Sequence, residues 1–346
     1  MEIYLHSFGT RLRARNGVFE VTVPDLTGAN NHQVEQIAPH QIVTVIMHSH
    51  TSISADAIQL ALESDVDIVL CDAFGMPLGR FMSTVPNATV NIQKAQLIAS
   101  TQPEIALDFV REWLIQKINS QIVLLTKMAS YRNDLGKTYI AQTIEGLKRQ
   151  AQTMQRLNIA AADATTAATL RGIEGTAQRL YFETLSRLMP KEYQFDGRSR
   201  QPAEDIFNTV LNYCYGILYR QVERALTLAG LSPYIGFMHR DDYKRKSLVF
   251  DFIEPFRPAA DRVTLNLCSR KVIGQQHIRA QPDGGMLLNT DGKKLVATHY
   301  HDFWKETDSS PPVKTLPRVL EQSAKDLSKQ LLGLNRLPPH NEAWLN

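Results

Sequence analysis

His239, Asp251 and Glu254 fall within one stretch, "GFMHRDDYKRKSLVFDFIEPFRP" at residues 236–258, with Arg240, Lys244, Arg245 and Lys246 between them. Carboxylates with one imidazole form a donor set for a hard or borderline divalent ion such as Mg²⁺ or Mn²⁺. Such an ion polarises a phosphate and lowers the pKa of an attacking hydroxyl or water. The neighbouring basic residues would then grip phosphates, although a solvated turn carries the same mixture of charges. Phe237 and Met238 tuck the His239 backbone under the surface, where a histidine also serves as a satisfied core residue. "SLVFDFIEPF" suits a buried strand or a helix. On a helix Phe250 and Glu254 share a face and Asp251 points elsewhere, so only one of the acids joins a given site easily. Pro255 fits a first turn or a kink.

A third carboxylate stands in "RGIEGTAQRLYF". Leu170, Ile173, Ala177, Leu180 and Tyr181 make a helical stripe, with Glu174 at its edge one turn before Gln178. Gly172 and Gly175 each cost about 1 kcal/mol relative to alanine inside a helix. Their missing side chains would let a metal or a nucleic-acid backbone approach Glu174; the alternative is a surface glutamate on a loosely packed helix. No Ser-His-Asp arrangement, phosphate-binding glycine loop or dinucleotide fingerprint competes with this site. The pairs His48/His50 and His299/His301 lack cysteine or acidic partners at ligand spacing and read as structural.

These residues need a scaffold of two kinds. Residues 1–85 are mostly β. "RLRARNGVFEVTV" is a hairpin about Asn16-Gly17, with Leu12 and Ala14 facing Val21 and Val23. "QIVTVIM" and "DIVLCDAFG" suit central strands, "SADAIQLALES" a helix capped by Ser54 with Ile58, Ala61 and Leu62 inward, and "FGMPLGRFM" a closing hairpin. Residues 83–91 form a linker. Helices follow at 103–128, where Ile105, Phe109, Trp113 and Leu114 form an apolar stripe, and at 136–157, about 160–188 and about 205–229. The last of these stops at Gly230. Residues 307–314 are a loop. Residues 316–332 form an amphipathic helix with Leu316, Leu320, Leu327 and Leu331 on one face, and Arg318, Lys325 and Lys329 on another. The fold class is therefore α+β, a small β-rich domain over 1–87 and a larger all-α domain over 88–346.

The 346 residues are 43% hydrophobic and 21% charged, the composition of a globular chain. No stretch approaches the roughly 18 apolar residues of a membrane span, and the first residues lack a basic, then apolar, targeting pattern. Cys71, Cys214 and Cys268 are scattered and fit a reducing cytoplasm. The net charge of +3 is unevenly spread. Residues 1–85 hold four Arg/Lys against nine Asp/Glu, a net of −5, which leaves +8 for the remainder. A polyanion would meet the C-terminal part.

The order "GIEG", "NTVLNYCYGIL", "AGLSPYIGFMH", "SLVFDFIEPFRP" resembles the CRISPR-associated spacer-acquisition integrases, the Cas-one family. The resemblance runs over nearly the whole chain, and "SISADAIQLALESDVDIVLCDAFGMPLGRF" is similar to that family's N-terminal domain. It implies an integrase that inserts short duplex DNA at the leader end of a repeat array by transesterification. It also implies metal-dependent endonuclease activity with Mg²⁺ or Mn²⁺. By position its metal triad falls on Glu174, His239 and Glu254, with Asp251 as the fallback for the third ligand. Asn208 matches a family asparagine, placed near the DNA or capping its helix. The resemblance further implies a homodimer paired through the N-terminal domains and a small companion adaptation protein. Two rivals share the fold or the site: a mobile-element integrase or repair nuclease, and a DNA-binding scaffold with a dead site.

Overall fold

The computed structural model describes all residues except 1, 6, 25–32, 43, 73–75, 82–87, 200–201, 240–244, 283, 306–314 and 335–346. The chain divides into two compact units. The first comprises the described residues of Met1–Ala95, Arg224–Leu231 and Ala324–Asn346; the second comprises those of Gln96–Glu223 and Ser232–Ser323.

The first unit opens with β1 (Glu2–Leu5), β2 (Arg11–Arg15), β3 (Val18–Val23), β4 (Gln33–Ile37), β5 (Thr44–Met47) and β6 (Ser52–Ile53). Helix α1 (Ala55–Glu63), β7 (Asp67–Cys71) and β8 (Pro77–Phe81) follow. Asn16 and Gly17 have φ of 51° and 74°, the left-handed pair that a tight hairpin demands. Leu12 pairs with Val21 as expected, whereas Ala14 lies opposite Phe19. One sheet has the order β4-β3-β2-β6 and the other β1-β5-β7-β8. In the second, β1, β5 and β7 run parallel and β8 closes the edge antiparallel to β7. All four residues of β5 are buried, which is why "TVIM" shows no alternation of apolar and charged residues. The Ser54 hydroxyl accepts from Ala57 N–H at 3.2 Å and starts α1, as its sequence signals. Leu5, Leu12, Phe19, Val45 and Ile68 are fully buried in the core of this unit.

Helices dominate the rest: α2 (Ala88–Ser100), α3 (Pro103–Ala129), α4 (Asp134–Gln155), α5 (Ala164–Leu188), α6 (Ile206–Leu228), α7 (Ser247–Phe252) and α8 (Arg257–Ser269). A short hairpin of β9 (Ile278–Ala280) and β10 (Met286–Leu288) precedes α9 (Thr290–Lys305) and α10 (Leu316–Leu334). The hairpin carries no clear alternation in the sequence and was not expected. Of the expected linker, 83–87 lie outside the described residues and 88–91 open α2. The expected loop at 307–314 also lies outside them.

Helices α3, α4 and α5 meet through polar as well as apolar residues. Gln121 on α3 bonds Gln178 on α5 at 3.0 Å, and Lys117 bonds Glu174 at 2.6 Å. The two pairs share one sequence offset, so α3 and α5 run in the same direction, with α4 returning between them. The Thr143 and Thr184 hydroxyls join α4 to α5 at 2.8 Å. Asp163 starts α5 with a reciprocal cap, accepting from Thr166 N–H while the Thr166 hydroxyl accepts from Asp163 N–H. Trp113 and Leu114 of the expected α3 stripe are buried, with Lys117, Ile118 and Gln121 continuing that face. The three cysteines are buried free thiols. No helix among the described residues is long and apolar enough to cross a membrane.

Candidate active site

Three segments of the second unit place the acids and the imidazole. On α5, Glu174 is a quarter exposed at the edge of the buried stripe, as its position predicts. A Cβ at either Gly172 or Gly175 would meet nothing within 4 Å, so packing within the chain does not demand glycine there. The site's second segment is "LSPYIGFMH". The Gln96 amide bonds Ser232 and Ile235 carbonyls at 2.9 and 2.8 Å and accepts from Ser232 N–H at 2.9 Å. Phe237 then stacks on Phe109 and Trp113, with centroids 5.5 and 5.8 Å away.

The third segment resolves as helix. It runs as α7 to Phe252, then passes through one tight turn at Glu254–Phe256, with Pro255 in the turn, into α8. The missing N–H of Pro255 falls where a helix start leaves one unused. Asp251 and Glu254 therefore face different partners. Asp251, 1% exposed, accepts from Phe237 and Met238 N–H at 2.7 and 3.0 Å and from His239 N–H at 3.3 Å. Its Oδ1 also accepts from His239 Nδ1 at 2.5 Å. Gly236 permits this approach: a Cβ there would lie 2.6 Å from Ser247 Cβ and 3.1 Å from Asp251 Oδ2. Both Asp251 oxygens are thus spent on orienting the histidine loop. Asp251, the fallback for the third ligand, has both oxygens already bonded, and its hold on Nδ1 leaves Nε2 as the other ring nitrogen.

Glu254 turns toward α3 instead. Its Oε2 accepts from Lys117 Nζ at 2.6 Å and its Oε1 from Arg257 Nε at 2.7 Å. Burial opposes its ionisation, but Arg257 and then Lys117 outweigh it and hold the carboxyl down at about 2. Arg257 is itself clamped, its guanidinium 4.9 Å from the Tyr215 ring and bonded to the Tyr219 hydroxyl at 3.2 Å. Lys117 Nζ also reaches Glu174 Oε1 at 2.6 Å. The structure therefore brings Glu174 and Glu254 together around one ammonium, while His239 is held on the Asp251 side. Among the described residues no three His, Cys, Asp or Glu side chains converge as a ready metal cluster. Sequence reasoning missed Lys117. The signal was there, a lysine within an apolar stripe one turn beyond Trp113.

The expected DNA contacts fare unevenly. Arg240 and Lys244 lie outside the described residues. Arg245 sits over the Phe250 ring at 5.2 Å, and Lys246 pairs with Glu223 at 2.6 Å, so much of the Lys246 charge is already answered. Asn208 is fully buried, at the start of α6. Its amide donates to Gly197 O and Asp205 at 3.0 and 2.6 Å and accepts from Arg198, which fixes the chain entering α6. His299 Nδ1 donates to Leu295 O at 3.0 Å and His50 lies 5.5 Å from the Phe8 ring. Neither histidine pair joins a ligand cluster among the described residues.

A strand-rich unit and a helical unit with an acid pair gathered on buried cations define a two-unit α+β protein with a polar site in its helices. The family described as CRISPR associated protein Cas1 matches residues 3–302, and the chain belongs to that family. It is 32% identical over 353 residues to the CRISPR-associated endonuclease Cas1 1 of Archaeoglobus fulgidus, covering 99% of this chain and 100% of that one. The fold is shared with a casposase bound to integration product, at TM-score 0.78, 20% identity and 96% coverage of each chain. It is shared too with a chain of a partial Cas6-RT-Cas1–Cas2 complex, at TM-score 0.71, 21% identity and 97% coverage of each.

Proposed function

We propose that the chain is a metal-dependent DNA integrase of CRISPR adaptation that inserts short duplex DNA into a repeat array and also cleaves DNA. The observation that carries this is the gathering of Glu174 and Glu254 around a single positive charge. The donor set fits Mg²⁺ or Mn²⁺ in kind: carboxylate oxygens already converged on a cation, and an imidazole whose ring is fixed by Asp251. Glu174, Glu254 and His239 would hold the ion, which when bound would polarise a phosphodiester and lower the pKa of the attacking hydroxyl.

The residues' own work follows from their partners. Asp251 keeps His239 oriented, Arg257 keeps Glu254 ionised, and the open flank at Gly172 and Gly175 admits a backbone beside Glu174. The 3′-hydroxyl of the incoming fragment attacks a repeat phosphodiester; a new P–O bond forms, the old one breaks, and a 3′-hydroxyl leaves. One phosphodiester replaces another, so no nucleoside triphosphate is consumed. Water in place of the hydroxyl gives endonuclease cleavage. Arg240, Lys244, Arg245 and Lys246 would grip flanking phosphates.

The relative's name as an endonuclease, the casposase seen with its integration product and the neighbour's assembly with Cas2 support this reading. The neighbour's assembly with Cas2 also supports a small companion protein; homodimers paired through residues 1–87, a catalytic part over 88–346 and a cytoplasmic setting complete the proposal. Intact Glu174, His239 and Glu254 count against a dead scaffold. A mobile-element integrase would share the site but not the target.

The test is transfer of a labelled short duplex into a supercoiled plasmid bearing a repeat, with Mn²⁺ or chelator, and with or without the companion protein. Metal- and 3′-hydroxyl-dependent joining at the repeat border supports the integrase. Cleavage without joining, companion present, reduces the protein to a nuclease of this fold.

A further inference from the structure

Lys117 is not used by the chemistry above. It lies on the buried face of α3 and is 3% exposed. An ammonium taken out of water costs several kcal/mol unless it is paired, so its place depends on Glu174 and Glu254. Two carboxylates and two cations, Lys117 and Arg257, already balance. The two cations differ, however. Of the two acids Arg257 bonds Glu254, and it is fixed by Tyr215 and Tyr219. Lys117 carries a compact charge on a flexible stem and bridges both acids at 2.6 Å each.

We infer that Lys117 is a built-in counter-ion of this site: it holds Glu174 and Glu254 together when no divalent cation is bound, and it competes with that cation for them. The inference rests on the reading of these two glutamates as metal ligands. Without a cation between them the two carboxylates repel each other, and Glu174 is free to turn into solvent; the ammonium keeps the pair converged. A divalent ion takes carboxylate oxygens at about 2.0–2.6 Å, in the space the ammonium fills, so it displaces Lys117 rather than joining it. Lys117 is thus a positioning residue that lowers the affinity for the ion while keeping its donors in place. Mutual exclusion of two cations from one pair is a negative coupling between them.

The experiment titrates Mn²⁺ into the full chain without DNA, by electron paramagnetic resonance, for the wild type, Glu174→Gln, Lys117→Met and Lys117→Arg. The wild type should bind an ion that Glu174→Gln loses. Lys117→Met, which keeps the stem and drops the charge, should bind Mn²⁺ at least about fivefold more tightly. It should melt lower than the wild type without metal and gain more from Mn²⁺. Lys117→Arg should not show the tighter binding. Lysine acylation of the wild type, read by mass spectrometry, gives a second measure that needs no variant. Mn²⁺ should raise labelling of Lys117 relative to the exposed Lys137.

Equal or weaker Mn²⁺ binding by Lys117→Met overturns the inference and leaves the metal site standing. Labelling of Lys117 that is indifferent to Mn²⁺ overturns it too, even should the variant not fold. A wild type that binds no Mn²⁺, or binding indifferent to Glu174→Gln, overturns the functional reading itself.

Discussion

His239 Nδ1 lies 2.5 Å from Asp251 Oδ1, and the same carboxylate collects the backbone N–H groups of Phe237, Met238 and His239. One buried acid thus sets both the path of the loop and the angle of the ring. This makes α7 the reference against which the imidazole is positioned, with Glu254 following three residues on.

Asp251→Asn keeps the size of the side chain but offers one acceptor oxygen where four donors converge. Strand transfer and Mn²⁺ affinity should each fall about 10–100-fold, the usual cost of losing a partner that orients a ligand. Gly236→Ala should act in the same direction by pushing the loop off Asp251. Integration rates and Mn²⁺ titrations of both variants check this; an unchanged Mn²⁺ affinity in Asp251→Asn would count against the positioning role.

The two glutamates should separate in stability. Glu254→Ala strands Arg257 and leaves the buried Lys117 only the partly exposed Glu174, and chemical denaturation without metal should show a loss of about 3–5 kcal/mol. Glu174 is a quarter exposed, and Glu174→Ala leaves Lys117 still paired to Glu254, so its loss should stay near about 1 kcal/mol. Both should abolish strand transfer, as should His239→Ala, while gel-shift affinity for DNA is largely kept in Glu174→Ala and His239→Ala.

Asn208→Ala should unfold more readily by about 1–3 kcal/mol, because Arg198, Gly197 and Asp205 lose buried partners. Its DNA affinity, measured on the folded fraction, should match the wild type. A drop in affinity with no change in stability would restore it as a contact.

Asp261 supplies a pH dependence away from the acid pair. It is buried between the Tyr215 and Tyr181 hydroxyls, which donate to it at 2.7 and 3.1 Å. Burial pushes its pKa up to about 6 from 3.8, and those hydroxyls only partly offset the rise. Between these values the folded chain holds a proton that the unfolded chain has released. Stability from this group is therefore full below about pH 4 and lost as pH rises through about 6, a swing of about 3 kcal/mol. Urea unfolding from pH 4 to 7 should show Asp261→Asn with a flatter profile than the wild type across that window.

What the sequence determined is what short stretches decide for themselves. Asn16-Gly17 dictates its hairpin because few other pairs tolerate two positive φ values in a row. Ser54 announces a helix start by its own hydrogen bond, and the apolar spacing of α3, α5 and α6 shows in one chain segment at a time. The order of their motifs singles out Glu174, His239 and Glu254 as candidates. Which acid meets the imidazole could not be read from it, since Asp251 and Glu254 stand three residues apart, and only the turn at Pro255 and the partners on either side send them different ways.

Lys117 shows the limit most plainly. Its partners lie 57 and 137 residues away along the chain, and its position on an apolar stripe declares a buried cation without saying which acids would answer it. Asn208 has no assignable role in the sequence until Gly197, Asp205 and Arg198 close around it. Burial and pairing belong to the packed unit, because the energy of a charge or an amide depends on what surrounds it in space. That is why the residues were legible and their roles were left to the tertiary structure.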